Sequence, residues 1–256
     1  MGCANSSIDL DPLPFCRPEM CAFFFDVDGT LLELAPRPQD VVSDPILRSL
    51  LQTLLRRAGG ALALISGRSL ADLDRIFSPF SFAAAGLHGA EIRYPDGDLR
   101  AASSHLMDHA RPRVARFVAE HPGLLLEDKG ATIAVHFRQR PELGASVLAF
   151  LNEFTPGDDI AVQEGKLVAE LKPALFDKGA AIESLLQRPP FAGRSAIFFG
   201  DDLTDEAGFA FVNRAGGLSV RIGVAATPTE ARYHLPDAAA LREWMTKIVA
   251  QRQDDP

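Results

Sequence analysis

The segment Asp26-Val27-Asp28-Gly29-Thr30 places two carboxylates one residue apart, directly after the apolar run Ala22-Phe23-Phe24-Phe25. Alternate residues of an extended strand point to the same side, so Asp26 and Asp28 share a face, and Gly29 permits a tight turn after them. One carboxylate can act as a nucleophile and its neighbour as a general acid/base, and both are hard oxygen ligands suited to Mg2+. For this pair alone, an ordinary Asp-Gly turn at a strand end is the bland alternative. A second acidic group shifts the balance. Ser195-Ala196-Ile197-Phe198-Phe199-Gly200 reads as another buried strand, followed at once by Asp201-Asp202-Leu203-Thr204-Asp205-Glu206. Carboxylates packed this densely repel one another unless a cation sits among them. Asp205 and Glu206 also suit a first helical turn; Asp201 and Asp202 come too early for that.

Two further pieces lie between these clusters. Ala61-Leu62-Ala63-Leu64-Ile65 is an apolar strand ending in Ser66-Gly67-Arg68, and Asp177-Lys178-Gly179 opens a helix from Ala180 to Leu186. A hydroxyl at an amide-rich turn and a lysine at a helix start can bind phosphate oxygens. Taken singly, Ser66 is also a plausible N-cap and Lys178 a plausible solvated lysine.

The order Asp26-Val27-Asp28-Gly29-Thr30, Ser66, Lys178, Gly200-Asp201-Asp202 resembles the phosphatases of the haloacid dehalogenase superfamily, over nearly the whole chain after residue 20. Ser66-Gly67-Arg68, Gly86-Leu87-His88-Gly89-Ala90-Glu91, Glu127-Asp128-Lys129 and His136-Phe137-Arg138 are similar to its trehalose-6-phosphate phosphatase family. The resemblance implies that Asp26 attacks phosphorus and becomes an aspartyl-phosphate, while Asp28 protonates the leaving sugar oxygen and later accepts a proton from water. It implies Mg2+ as cofactor, with Asp26, Asp28, Asp201, Asp202 and Asp205 as the metal-binding set, Asp28 through its backbone. Ser66 and Lys178 are expected on the phosphoryl oxygens. Arg68, His88, Glu91, Glu127, Lys129, Arg138, Lys166 and Glu170 are the expected substrate-binding residues. Related sugar-phosphate phosphatases of the sucrose-phosphate or mannosyl-phosphoglycerate type share the core motifs, and a sugar phosphomutase is a further alternative.

Strands alternate with helices in a pattern that positions these residues on a parallel sheet. Ile46, Leu47, Leu50, Leu51, Leu54 and Leu55 recur at helical spacing between Asp44 and Arg57, Leu70, Leu73 and Ile76 mark another helix, and Phe82 to Ala85 is a short strand. From about residue 104 the rhythm changes. A helix from 104 to 120, strands 124–128 and 132–138, a helix from 141 to 154, and strands 160–164 and 166–171 form a helix-strand-strand unit that occurs twice. The expected fold class is α/β, a Rossmann-like parallel-sheet core of the haloacid dehalogenase type with an inserted α+β cap domain. The expected organisation is a loose tail over 1–20, a phosphatase core over 21–103 and 173–256, and a cap over 104–172 that sets substrate specificity. On 132–138, alternation puts Thr132, Ala134, His136 and Arg138 on one face. Cross-strand ion pairing on a wet surface is the bland alternative for each cap charge. Trp244 packs a C-terminal helix over 241–250, and Arg221, near the last strand at 218–224, carries no assignment.

The 256 residues include 47% hydrophobic ones, and the mean hydropathy of +0.04 describes a soluble globular chain. A formal charge of −8 argues against a nucleic-acid surface. It also requires that a site for an anionic sugar phosphate be made locally positive by Mg2+, Lys178, Arg68 and basic cap residues. No apolar stretch reaches membrane-spanning length, and no signal peptide is visible. Cys3, Cys16 and Cys21 lack metal-like spacing, and their odd number points to a reducing compartment. The opening Met1-Gly2-Cys3-Ala4-Asn5-Ser6 formally fits a myristoylation pattern, but no polybasic patch follows it. The expected location is cytoplasmic, without a membrane partner. No fused synthase domain is expected, so any functional coupling to trehalose synthesis would need a separate trehalose-phosphate synthase.

Overall fold

The computed structural model describes residues 11–12, 14, 16–33, 40–157, 159–165, 167–224 and 228–250. The chain runs through β1 (Asp11–Pro12), β2 (Cys21–Phe25), α1 (Pro45–Arg57), β3 (Leu62–Ile65), α2 (Leu70–Phe77), β4 (Ala83–Gly86), β5 (Glu91–Arg93) and β6 (Leu99–Ala101). It continues through α3 (Arg111–Glu120), β7 (Leu125–Asp128), β8 (Ile133–His136), α4 (Gly144–Asn152), β9 (Ile160–Gly165) and β10 (Val168–Pro173). The last part is α5 (Lys178–Leu186), β11 (Ser195–Gly200), α6 (Glu206–Arg214), β12 (Leu218–Ile222), β13 (Tyr233–Leu235) and α7 (Ala238–Ala250).

Nine strands form one sheet in the order β1-β13-β12-β11-β2-β3-β4-β5-β6. Pairing is parallel from β1 to β4 and antiparallel at β5 and β6. The centre reads as continuous apolar sequence because both its faces are covered. On one face Phe25 stacks on Phe199 with ring centroids 4.9 Å apart, and Phe23 and Phe199 meet Trp244 of α7 at 6.4 and 5.2 Å. On the other, Phe24 meets Phe191 at 5.4 Å and Phe198 meets Phe209 of α6 at 5.3 Å. Helix α1 begins where the Asp44 side chain accepts from the Leu47 amide at 2.8 Å, with Pro45 at its first position, and it buries Leu47, Leu51 and Leu54 along one stripe.

A second, antiparallel sheet has the order β7-β8-β10-β9. Ile133, Val135, Ala169 and Leu171 face one side, packing in one cluster with Val114 of α3 and Val147 and Leu151 of α4. By register the opposite face carries a row of Glu127, Ala134, Glu170 and Gln163.

Several boundaries differ from the sequence reading. Residues 104–120 are not one helix: Ser104–Met107 is a 3-10 turn and α3 starts at Arg111, with Pro112 in its first turn, where a missing N–H costs nothing. Pro141–Leu143 is likewise a 3-10 turn before α4. The β5–β6 hairpin and β13 were not expected. The expected loose tail is ordered at its end, since β1 pairs with β13 and Pro18–Met20 forms a 3-10 turn. The rest of that expectation, with Gly2 and Cys3, lies outside the described residues. Among the described residues, no helix is long and apolar enough to cross a membrane.

Candidate active site

The carboxyl ends of β2, β3, β11 and β12 meet at one edge of the large sheet, where a parallel sheet collects its ligands. Asp26 follows β2 and is 4% exposed; its amide donates to the Phe199 carbonyl of β11 at 2.9 Å. Gly29, at φ +86°, brings the next turn so close that a Cβ there would lie 2.0 Å from Asp201 Oδ2. No side chain larger than hydrogen fits, and Thr30 Oγ1 donates to Asp201 Oδ1 at 3.2 Å.

Lys178 enters from the first turn of α5, whose N-cap Asp177 accepts from the Ala180 amide at 2.8 Å. A cation at a helix N-terminus opposes the macrodipole, so buried carboxylates must hold it there. Its Nζ donates to Asp26 Oδ1 at 2.7 Å and to Asp205 Oδ1 at 2.6 Å. Burial works against its charge, but Asp205 and Asp26 outweigh burial and hold it protonated, with its pKa raised. The other oxygen of Asp205 accepts from the amides of Asp201 and Asp202, each at 3.0 Å, which shapes the 3-10 turn Leu203–Asp205.

One oxygen each from Asp26, Asp201 and Asp205 lies within 4.8 Å of the others. Burial raises the Asp26 pKa well above the usual carboxylate range, and the charges of Asp205 and Asp201 add to this against the pull of Lys178. Asp201 is pushed up to about 6 by burial and by Asp205. Three hard donors whose like-charge conflict is only partly relieved by Lys178 fit a divalent cation. Asp205 has both oxygens engaged within the protein, which leaves Asp26 and Asp201 as the more available donors.

Asp28 and Asp202 stand outside this group. Asp28 is held by Arg68, whose Nε and Nη2 donate to its two oxygens at 2.6 and 2.7 Å. Arg68, expected at the substrate, is thereby turned toward the acid/base candidate. Asp202 caps the turn, its Oδ1 accepting from the Leu203 amide at 2.5 Å. Ser66 is buried after β3, with its Oγ accepting from the Arg68 amide at 3.1 Å.

Above the edge lies a cleft of about 1040 Å³, walled on the far side by the row of the second sheet that its helices leave uncovered. Asp26, Asp28, Ser66, Arg68, Lys178, Asp201 and Asp202 line its floor, and Glu127, Lys129, Arg138 and Glu170 its roof. His88 joins the two sides. Leu87 and His88 both adopt left-handed backbone angles, φ 49° and 56°, pinned by Leu87 N to Arg68 O at 2.9 Å and His88 N to Ser66 O at 3.0 Å. The imidazole then lies over Gly67, where a Cβ would come within 2.7 Å of Nε2, and reaches Glu170 Oε2 at 3.5 Å. Glu170 also accepts from Thr132 Oγ1, and from Lys129 Nζ at 3.3 Å; Lys129 Nζ in turn donates to the Gly67 carbonyl at 3.3 Å. Burial alone would raise the Glu170 pKa, but Lys129, then His88 and Thr132, bring it down to about 2.

Glu91, expected at the substrate, does not line the cleft; its Oε2 accepts from the Leu70 amide at 3.0 Å and closes the N-terminus of α2. Lys166 lies outside the described residues. The sequence reading gave no role to Thr204, Gln163 and Arg221, which line the cleft, or to His136, whose Nε2 pairs with Glu127 Oε2 at 2.9 Å. Arg221 sits on β12 opposite Gly200, at the same sheet edge as the acidic motifs, and that strand-exit position is the signal that could have found it.

A Rossmann-like parallel sheet with an inserted antiparallel sheet is the fold of haloacid dehalogenase-like hydrolases, and the chain's relatives make it a phosphoric monoester hydrolase. A solved structure described as a trehalose-6-phosphate phosphatase related protein superposes with a TM-score of 0.73 at 26% identity, covering 89% of this chain and 96% of that one. The profile of the trehalose-phosphatase family matches residues 24–239, and the chain belongs to that family. It is 46% identical over 224 residues to a Sinorhizobium fredii protein named "Probable trehalose-phosphate phosphatase", covering 86% of this chain and 84% of the relative. It is 42% identical over 245 residues to the trehalose-6-phosphate phosphatase of Escherichia coli, covering 91% and 90%.

Proposed function

We propose that this protein hydrolyses trehalose 6-phosphate to trehalose and phosphate in two displacements, with Asp26 as nucleophile, and that it does so in the cytoplasm. In the first, an Asp26 oxygen bonds to phosphorus while the bond from phosphorus to the sugar oxygen breaks, and Asp28 supplies the proton that the sugar oxygen takes. In the second, water attacks the aspartyl-phosphate, Asp28 takes its proton, and Asp26 is released. Lys178 has three donors, two of them on Asp26 and Asp205, and its third serves a phosphoryl oxygen together with the Ser66 hydroxyl. Arg68 donates to both Asp28 oxygens, so the proposed proton transfer requires one of them to be released from the guanidinium to carry the proton. A divalent cation, Mg2+ by the hardness of the donors, would be held by Asp26 and Asp201 with Asp205 behind them, and supplies charge neutralisation for the phosphoryl oxygens when bound.

Residues 104–172 act in this reading as the cap that confers specificity. Glu127, Lys129, Arg138 and Glu170 present charged donors and acceptors to the sugar hydroxyls across the cleft, while the floor reads only the phosphate. The observation that carries the reading is the buried Lys178 clamped between Asp26 and Asp205 on the floor of a cleft roofed by those side chains.

The test joins trapping with a substrate panel. Acid-quenched turnover is expected to leave the phosphoryl group on a peptide containing Asp26, and Asp26→Asn is expected to lower kcat by at least about 10³ with the fold retained. An adduct on another residue overturns the mechanism. Trehalose 6-phosphate is expected to give the highest kcat/KM among sugar phosphates; equal rates on monosaccharide phosphates, or on sucrose phosphate, overturn the substrate. Oxygen from labelled water is expected in the released phosphate, whereas return of the phosphoryl group to sugar would make the enzyme a mutase.

A further inference from the structure

Arg221 is 8% exposed, and its guanidinium is under-used. Among the described residues its one hydrogen bond runs from Nη1 to Glu206 Oε1 at 3.3 Å, and its buried Nε has no partner. A guanidinium has five donors, and a nine-tenths buried cation with so few of them satisfied is costly to the protein alone. The residue lines the cleft beside Asp202 and Thr204, and Glu164 and Gly165 of the second sheet line the same cleft. Its strand is separated from β2 by β11, so its backbone stands two strand spacings, roughly 10 Å, from the Asp26 strand. Lys178 of α5 is already paired with Asp26, the proposed nucleophile.

From this placement we propose that Arg221 is a substrate-positioning residue that donates to a hydroxyl oxygen of the sugar portion, at the wall where the acidic segment after β11 meets the roof. This rests on the reading of the cleft as a sugar-phosphate site. The competing role is support of Glu206, which also accepts from Thr229 Oγ1 at 2.8 Å and from the Glu230 amide at 2.6 Å and ties α6 to the segment before β13.

The experiment compares kcat and KM of the parent, Arg221→Met, Arg221→Lys and Glu206→Gln on trehalose 6-phosphate and on p-nitrophenyl phosphate. Arg221→Met is expected to lose about tenfold to a hundredfold in kcat/KM on the sugar phosphate relative to the aryl phosphate, mainly through KM, as for one charge-assisted hydrogen bond. Arg221→Lys is expected to recover part of that loss, and Glu206→Gln to keep the parent's ratio between the two substrates. Equal losses on both substrates in Arg221→Met, or the same shift of ratio in Glu206→Gln, overturn the proposal and leave Arg221 as support for α6. The parent's own panel judges the trehalose assignment separately. If another sugar phosphate is preferred, that compound replaces trehalose 6-phosphate and the ratio still decides the role of Arg221.

Discussion

Lys178 shows what one side chain contributes when it is the counter-ion for two buried carboxylates. Removing it leaves buried Asp26 and Asp205 without their shared counter-ion, in a site where burial already disfavours the Asp26 charge. Lys178→Ala is therefore expected to abolish turnover and to lower unfolding free energy by about 3–5 kcal/mol at neutral pH, read from urea titration. A variant with parent stability would mean that the carboxylates are neutralised by another route. The pairing of Arg68 with Asp28 and the turn-capping by Asp202 and Glu91 are decided by rotamers and register, so neither was legible in the sequence. The residue types at strand exits were legible, because a buried apolar run ending in Asp-Val-Asp or Gly-Asp-Asp has few other reasons to exist.

Between elements, the contact of the two sheets rests on Glu170 of β10, Lys129 after β7 and His88 after β4. The folded Glu170 carboxyl takes its proton only near pH 2, whereas an unperturbed one does so near 4.5. As pH falls the unfolded chain protonates first, so stability present above about pH 4.5 is lost progressively toward pH 2. That gap is worth ~3 kcal/mol at most. Glu170→Gln is expected to be destabilised at pH 7 and to approach the parent as the medium is acidified to pH 3, measured by denaturant midpoints at each pH. A penalty that is constant with pH would show that the carboxylate charge is not what holds the sheets together. Strands β2, β3 and β11 and helices α1 and α5 were readable because periodicity and capping agreed with burial. The β5–β6 hairpin and β13 are three residues each, and β6 is exposed along its whole length. Such strands exist because a neighbouring edge is open, which no local pattern announces.

For the molecule as a whole, a formal charge of −8 must coexist with the proposed anionic substrate, and in that reading a divalent ion among the acidic residues of the cleft floor makes the site receptive. Chelation is expected to lower activity by at least about a hundredfold and millimolar Mg2+ to restore it, with a rise in Tm because the ion binds the folded chain preferentially. Full activity in excess chelator would remove the metal from the mechanism. The sheet order carries one more consequence. The central strand β2 pairs on one side with β3 but on the other with β11, with Phe23 opposite Ile197. A ribosome adding about 5–20 residues per second needs about 9–35 s to deliver that second neighbour. Throughout that interval the nascent chain carries three consecutive phenylalanines beside an unfilled strand position, a template for mispairing with other chains. Yield in a cell should thus depend on how well chaperones shield the emerging N-terminal half.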